Sequence, residues 1–494
     1  MSSFKGKGTL RDSNEDSELL RKLSYNETYQ LAMYTLNQYR GTTVSCRYAI
    51  PPTLSKQDNL PELKNKFEAA IMRTVLQHPV LQVGIVDAES KVPIWTRLDR
   101  LDLGNHIEWR SIESSVDISS LLQEIVASQI DTTFPLIDRQ PGWRIVILRR
   151  ETTDELEVVF TWNHPHGDGT SGKIFHQDLL RSLNEMGEYK PPRDGNMLML
   201  PKSAPGLPVP DLIKPSMFFK DPTQATWAPI QASPFKTQVR SFTVDKEALD
   251  NILAKCRQHH TTITGLLHAL AALAFASHLK DAPGFQSATL IDARRFLPAG
   301  PGFQPDRTMA NYVTQMYHKF GRAAVDGLRS SASSSSSSSE AETETLERVW
   351  SVAADVRRQL EAKLASGLKN DEICLGRFVG DWRAQQREKA TKPRQLSWLV
   401  TNLGVMEGKG SSSPTTPESV VGKGKDGSEE AWSIRQAQLT LSAEVPGAAI
   451  VFSAMTVAGG ALCVAGIWRE CLFDPSFGDQ IVGDVEQWLR IISS

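Results

Sequence analysis

Apolar residues recur along the chain at two different spacings. Recurrence every three to four positions predicts helices over LAMYTLNQY, PELKNKFEAAIMRTVLQ, SGKIFHQDLLRSL, KEALDNILAKCRQ, ITGLLHALAALAFASHL and ETLERVWSVAADVRRQLEAKL. The first of these opens on a capping box, Ser24-Tyr-Asn-Glu27, and the fifth is capped by Thr261 or Thr262. Alternating or continuous apolar runs predict strands at TTVSCRYAI, PVLQVGIV, WRIVILRR, ELEVVFTWN, QVRSFTV, SATLIDARR, WLVTN and RQAQLTLS. From Ala448 to Trp468 the chain carries no charge, which is long enough for a membrane span. Gly459-Gly460 and the β-branched residues divide it instead into two buried strands with a turn between them, so no transmembrane segment is expected. Strands and helices interleave in both halves, which is an α/β (α+β) pattern.

Breaks in that pattern outline the organisation. Residues 1–22 are polar without an apolar signal core and are expected to form a disordered tail. A first unit is expected over 23–190. Ten prolines between Pro191 and Pro234 read as an extended crossing over 191–235, because proline fixes φ and removes a donor. A second unit then runs over 236–494, interrupted by low-complexity stretches at 330–344 and 408–430 that are expected to be mobile loops. The 494 residues suit two domains. A net charge of −2 provides no footprint for nucleic acid or an anionic membrane, which points to a small-molecule substrate. Five scattered cysteines (46, 256, 374, 463 and 471), with no CxxC pair, fit a reducing compartment, and a cytoplasmic monomer is expected.

The strand ELEVVFTWN runs directly into HPHGDGTSGKI at 164–174, over which three chemistries can be laid. His164, His166 and Asp168 could surround a cation, with His259, His260 or His268 as distant ligands. The run lacks a second histidine after the aspartate, where Gly169 stands, and no metal is expected. Gly167 to Lys173 satisfies GxxxxGK, a phosphate loop, but Ile174 stands where a hydroxyl should hold magnesium, and Asp168 would put a carboxylate in an anion cradle. The third reading is His-x-x-x-Asp-Gly. A strand delivers His164 to a turn as a general base, Asp168 locks the turn with a buried arginine, and Gly169 permits a tight path into the helix. His166 and His176 read as turn and helix-face residues, His268 as a hydrogen-bonded core residue, Asp292 as a strand end and Cys463 as a core hydrophobe.

NHPHGDGTSGKIFHQDLL, following an apolar strand, resembles the active-site segment of the fungal alcohol acetyltransferases, within the chloramphenicol acetyltransferase-like, condensation-domain superfamily. RKLSYNETYQLAMYTLNQYRGTTVSCRYAI, HPVLQVGI, TNLG at 401–404 and AAIVFSAMTVAGGALCVAGIW agree in order. Asn163 departs from the second histidine of condensation domains, and the DFGWG segment of the plant branch is absent. The resemblance implies two similar domains, each a mixed sheet flanked by helices, with a tunnel between them. It makes His164 the base, Asp168 the structural aspartate with Arg295 or Arg294 as partner, and Gly169 the closing glycine. It implies an acyl-CoA co-substrate, acetyl-CoA by default, a small alcohol as acceptor, and no bound cofactor. No GxSxG elbow is present, so no serine nucleophile is expected; Thr401 and Asn402 are candidate oxyanion donors. Amine acylation or condensation from a carrier-bound thioester stays open, as do a non-catalytic binding module and, more remotely, a phosphate-loop hydrolase.

Overall fold

The computed structural model describes residues 18–150, 153–185, 190–202, 233–301, 303–333, 339–367, 378–409 and 431–494, with a few single positions between these segments. Two principal sheets organise them. One has five strands in the order Ser433–Leu441, Thr42–Ala49, Glu155–Trp162, Trp143–Arg150, Ile107–Ile112, antiparallel except for the last pair. The other has six, in the order Thr237–Val244, Leu462–Arg469, Ile450–Val457, Trp398–Met406, Phe285–Asp292, Val313–Phe320. Trp398–Met406 is parallel to both of its neighbours there and the remaining pairs are antiparallel. Mixed sheets of this kind need helical cover, and each sheet has its own apolar core. Phe67, Ile71, Phe175 and Leu179 from the helices Leu60–Gln77 and Gly169–Glu185 pack with Tyr48 and Phe160 of the first sheet. Leu266, Leu270 and Phe275 of the helix Ile263–His278 pack with Val400, Phe452 and Val464 of the second.

Local signals act as the sequence suggests. Ser24 and Glu27 form the reciprocal capping box of the helix Tyr25–Thr35. Thr262, rather than Thr261, caps Ile263–His278, while Thr261 donates to the carbonyl of Ala353. The uncharged run forms two antiparallel strands, Ile450–Val457 and Leu462–Arg469, turned at Gly459 with φ +74°, a conformation that favours glycine. Among the described residues no single helix is long and apolar enough to cross a membrane.

Four expectations need correction. Leu19–Lys22 is not tail: it pairs antiparallel with Ile94–Arg97. Within the proline-rich crossing, Arg193–Asp194 and Met197–Met199 form a small sheet with Arg100–Asp102, since backbone donors there find ladder partners despite the prolines. Much of 330–344 is helical, at the end of Arg322–Ser333 and the start of Ser339–Ser366, because Ala and Glu in SEAETE favour a helix whatever the complexity of the sequence. Finally Ser433–Leu441, assigned by position to the second half, is the edge strand of the first sheet and pairs with Thr42–Ala49 over its whole length. Of the stretch 408–430, residues 410–430 lie outside the described residues, as does most of 203–232.

Candidate active site

The strand Glu155–Trp162 and the helix Gly169–Glu185 are joined by a tight turn at 163–168. Trp162 sets the geometry on both sides of it. Its indole N–H donates to the carbonyl of Gly167 (2.8 Å), and its ring lies so close to Gly172 that a Cβ there would sit 2.3 Å from it. Glycine at 172 is therefore what lets the helix close down on the strand. Inside the turn the amide N–H groups of His166 and Gly167 donate to the carbonyls of Asn163 and His164.

Asp168 is the hub of the turn and is 3% exposed. Its Oδ1 accepts from the amide and hydroxyl of Ser171 (2.9 and 3.0 Å), which serves the otherwise orphaned donors of the helix start. Its Oδ2 accepts from the guanidinium of Arg294 (2.7 Å) and from the amide of Tyr312 (2.8 Å). Burial pushes this carboxyl up, but Arg294 and the two amides outweigh burial and hold it below its ordinary value. Of the two expected partners, Arg294 makes the contact, whereas Arg295 is exposed. Arg294 also donates to Ala310 and Thr308 carbonyls (2.7 and 3.2 Å) and to Asp292 (3.1 Å). Asp292 ends its strand as expected, and its second oxygen accepts from Thr170 (2.9 Å). Asp168 and Arg294 thus tie the turn below the first sheet to the strand end of the second.

His164 differs from its neighbours: atoms crowd around the ring, yet solvent still reaches the residue. Burial lowers its basicity, against the nearby charge of Asp168, its own carbonyl and the charge of Glu444. The ring of Tyr39 meets it edge-on at 5.4 Å. The side-chain amide nitrogen of Asn311 lies 2.9 Å from Nδ1 and 3.2 Å from the His164 carbonyl oxygen, and Asn26 donates in turn to Asn311. Neither asparagine announces itself in the sequence, since Asn311 is 147 residues from His164 and joins it only through the tertiary fold.

The residues of the other two readings are engaged elsewhere. His166 is fully buried, faces Trp95 edge-on at 5.0 Å and accepts the amide N–H of Gly142 (3.2 Å). His268 sits in the second core with Ser287, Thr289 and Trp398, as expected of a core histidine, and His259 stacks on Trp350. Lys173 donates to the carbonyls of Leu403 (3.4 Å) and Val405 (2.5 Å), which fastens the helix to the end of the strand Trp398–Met406. On that strand Thr401 is nearly buried, the Asn402 amide donates to Thr264 (3.2 Å), and Leu403 packs over Gly169.

Three histidines around this region are held neutral by burial, which lowers His106, His166 and His176 to about 4 each. Unfolded, they titrate near 6.5, so between those values the unfolded chain binds more protons. The contribution is intact above 6.5 and lost as pH falls toward 4. Each pH unit that separates the folded from the unfolded titration of one such histidine corresponds to about 1.4 kcal/mol. The thermal midpoint is therefore expected to fall steeply from pH 6.5 to 4.5, before most carboxylates titrate. A midpoint flat across that interval would contradict this.

The family model of the alcohol acetyltransferases matches residues 108–210, which include the whole turn. The "Probable alcohol acetyltransferase FCK4" of Fusarium pseudograminearum is 22% identical over 95% of this chain and 95% of its own length. The "Probable alcohol acetyltransferase crmB" of Aspergillus fumigatus is 22% identical over 91% and 95%. Among solved structures, the trichothecene 15-O-acetyltransferase TRI3 from Fusarium sporotrichioides has the same fold, with a TM-score of 0.65 and 16% identity over 99% of this chain and 97% of that one. The first condensation domain of the CDA synthetase shares the fold at a TM-score of 0.56 and 13% identity, over 96% and 95%. With a strand-turn-helix site inside the matched segment and relatives along nearly its whole length, the chain is similar to the alcohol acetyltransferases, and it is an acyltransferase enzyme.

Proposed function

We propose that the protein transfers an acyl group, acetyl by the family's default, from acyl-CoA to the hydroxyl of a small alcohol, with His164 as general base. The observation that carries this reading is the single imidazole that is crowded yet solvent-touched, on a turn locked by a buried Asp168–Arg294 pair. His164 takes the hydroxyl proton as the alcohol oxygen attacks the thioester carbonyl, then returns it to the departing thiolate. The C–O bond forms, the C–S bond breaks, and the proton passes from oxygen to sulfur. No acyl-enzyme is needed, because the thioester is already activated. The oxyanion donors are assigned to Thr401 or Asn402, in the middle of the strand Trp398–Met406 just before its register irregularity, a strand that Lys173 and Leu403 hold against the helix. Asp168, Gly169 and Arg294 act by holding the turn.

Thr401 and Asn402 offer a hydroxyl and an amide, so nothing in the donor set selects an alcohol over an amine as acceptor; the alcohol acetyltransferase relatives favour the alcohol. Two domains with a tunnel between them, acting as a cytoplasmic monomer, complete the reading. Incubated with acetyl-CoA and a panel of alcohols, the protein is expected to release free thiol only when an alcohol is present, with ester formed in equal amount. Thiol release that is independent of acceptor would mark a hydrolase and overturn the proposal. No release with any acceptor, beside intact acetyl-CoA binding, would favour a binding module.

A further inference from the structure

The contacts around His164 Nδ1 determine hydrogen positions without any hydrogen being observed. A backbone carbonyl only accepts. Asn26 Nδ2 lies 3.1 Å from the Asn311 carbonyl oxygen, so this atom is a nitrogen, and the Asn311 side-chain atom 2.8 Å from it must be the oxygen Oδ1. The other amide atom of Asn311 is then Nδ2, as its 3.2 Å approach to the His164 carbonyl also requires. Both amides are thus oriented by main-chain oxygens, independently of the imidazole. Asn311 is fully buried, so water does not compete for these bonds. The consequence falls on the ring: an N–H donor stands 2.9 Å from Nδ1, so in the neutral imidazole Nδ1 is bare and the proton sits on Nε2.

A histidine that carries its proton on Nε2, with Nδ1 capped by an amide, has no free lone pair to offer an acceptor alcohol. From this we infer that Asn26 and Asn311 are positioning residues that hold substrate-free His164 in the tautomer that cannot act as base. The inference rests on the assignment of His164 as that base. The working tautomer has its proton on Nδ1, where the ring's own carbonyl can accept it. Reaching it needs the Asn311 amide to turn or withdraw while a proton leaves Nε2 for solvent and another is taken up on Nδ1. The arrangement suits an enzyme whose donor is an activated thioester, because a resting base would also activate water and hydrolyse that donor. Asn26 lies at the start of the helix Tyr25–Thr35, so a movement of that helix start is the mechanical route by which an arriving acceptor releases the cap.

The test uses the full chain labelled with 15N-histidine, without substrate, at a pH above the His164 titration, with the His164→Ala spectrum identifying the resonance. The expected spectrum shows His164 protonated on Nε2 and bare on Nδ1. Asn311→Asp replaces the amide donor by a carboxylate oxygen. It is expected to move the proton to Nδ1 and to raise the acidic limb of the kcat/KM profile by about one pH unit or more, since a neighbouring negative charge favours the imidazolium. Wild-type His164 protonated on Nδ1 overturns the inference, as does an Asn311→Asp protein with unchanged tautomer and pH limb. The base assignment fails separately: it falls if His164→Ala retains thiol release, whatever tautomer the wild type shows.

Discussion

A His164→Ala protein is expected to lose transfer by roughly 10²–10⁴-fold, the usual contribution of a positioned acid–base group, while folding as the wild type does. The two halves of that expectation have different physical sources. In the proposed mechanism, activity depends on the imidazole as the single shuttle between hydroxyl and sulfur. Folding depends on neighbours that do not need the ring: the Trp162–Gly167 bond, the Ser171 and Arg294 bonds to Asp168, and the close approach at Gly172. The ring itself is not fully enclosed, so truncation leaves no sealed cavity of the kind that destabilises cores. The measurement is a paired one, with steady-state transfer beside the thermal midpoint and acetyl-CoA binding. Undiminished transfer removes His164 from the mechanism, and lost binding or a collapsed midpoint shows that the residue is structural.

How much of this could be read from the sequence depends on whether a feature is local. The capping box at Ser24, the strand into His164, the helix out of Gly169 and the hairpin at Gly459 are each decided by a few neighbouring residues, and all appear as the pattern suggests. The choice between Arg294 and Arg295 is not local. After Asp292 the chain enters a short 3-10 turn, so strand alternation no longer states which side chain points inward. The same limit governs Ser433–Leu441, whose alternation says that one face is buried but not which sheet it joins. Asn311 sits one residue before Tyr312 in a loop without periodicity, and its partners are a helix start and a turn from distant parts of the chain. The serine-rich stretch misled for a different reason, since composition describes a segment's average and the helical ends at Ser333 and Ser339 are set by the residues flanking it.

Arg294→Met is expected to destabilise the protein by about 3–5 kcal/mol at neutral pH, the range for breaking a buried ion pair from one side. Arg294 is 2% exposed and Asp168 3%, so solvent cannot take over when the guanidinium is removed. The loss reaches further than one pair, because the same side chain donates to the carbonyls of Thr308 and Ala310 and to Asp292 on the side of the second sheet, and to the Ser171 hydroxyl (3.3 Å) on the side of the turn. Asp168 would keep the Ser171 and Tyr312 amides, which cannot balance a buried charge. With Arg294 gone, burial would raise the Asp168 carboxyl above its unfolded value, the reverse of the wild type. Protonation would then favour the folded variant, so its deficit is expected to be largest at neutral pH and to narrow as pH falls and the group takes a proton. The double variant Asp168→Asn/Arg294→Met removes that uncompensated charge and is expected to be more stable than Arg294→Met alone, although its turn is less constrained. Transfer should fall in both, because His164 is placed by the turn that this pair locks. Urea unfolding midpoints for Arg294→Met and for the double variant, each beside the wild type, decide the matter. An Arg294→Met protein as stable as the wild type would show that the pair is dispensable to the fold.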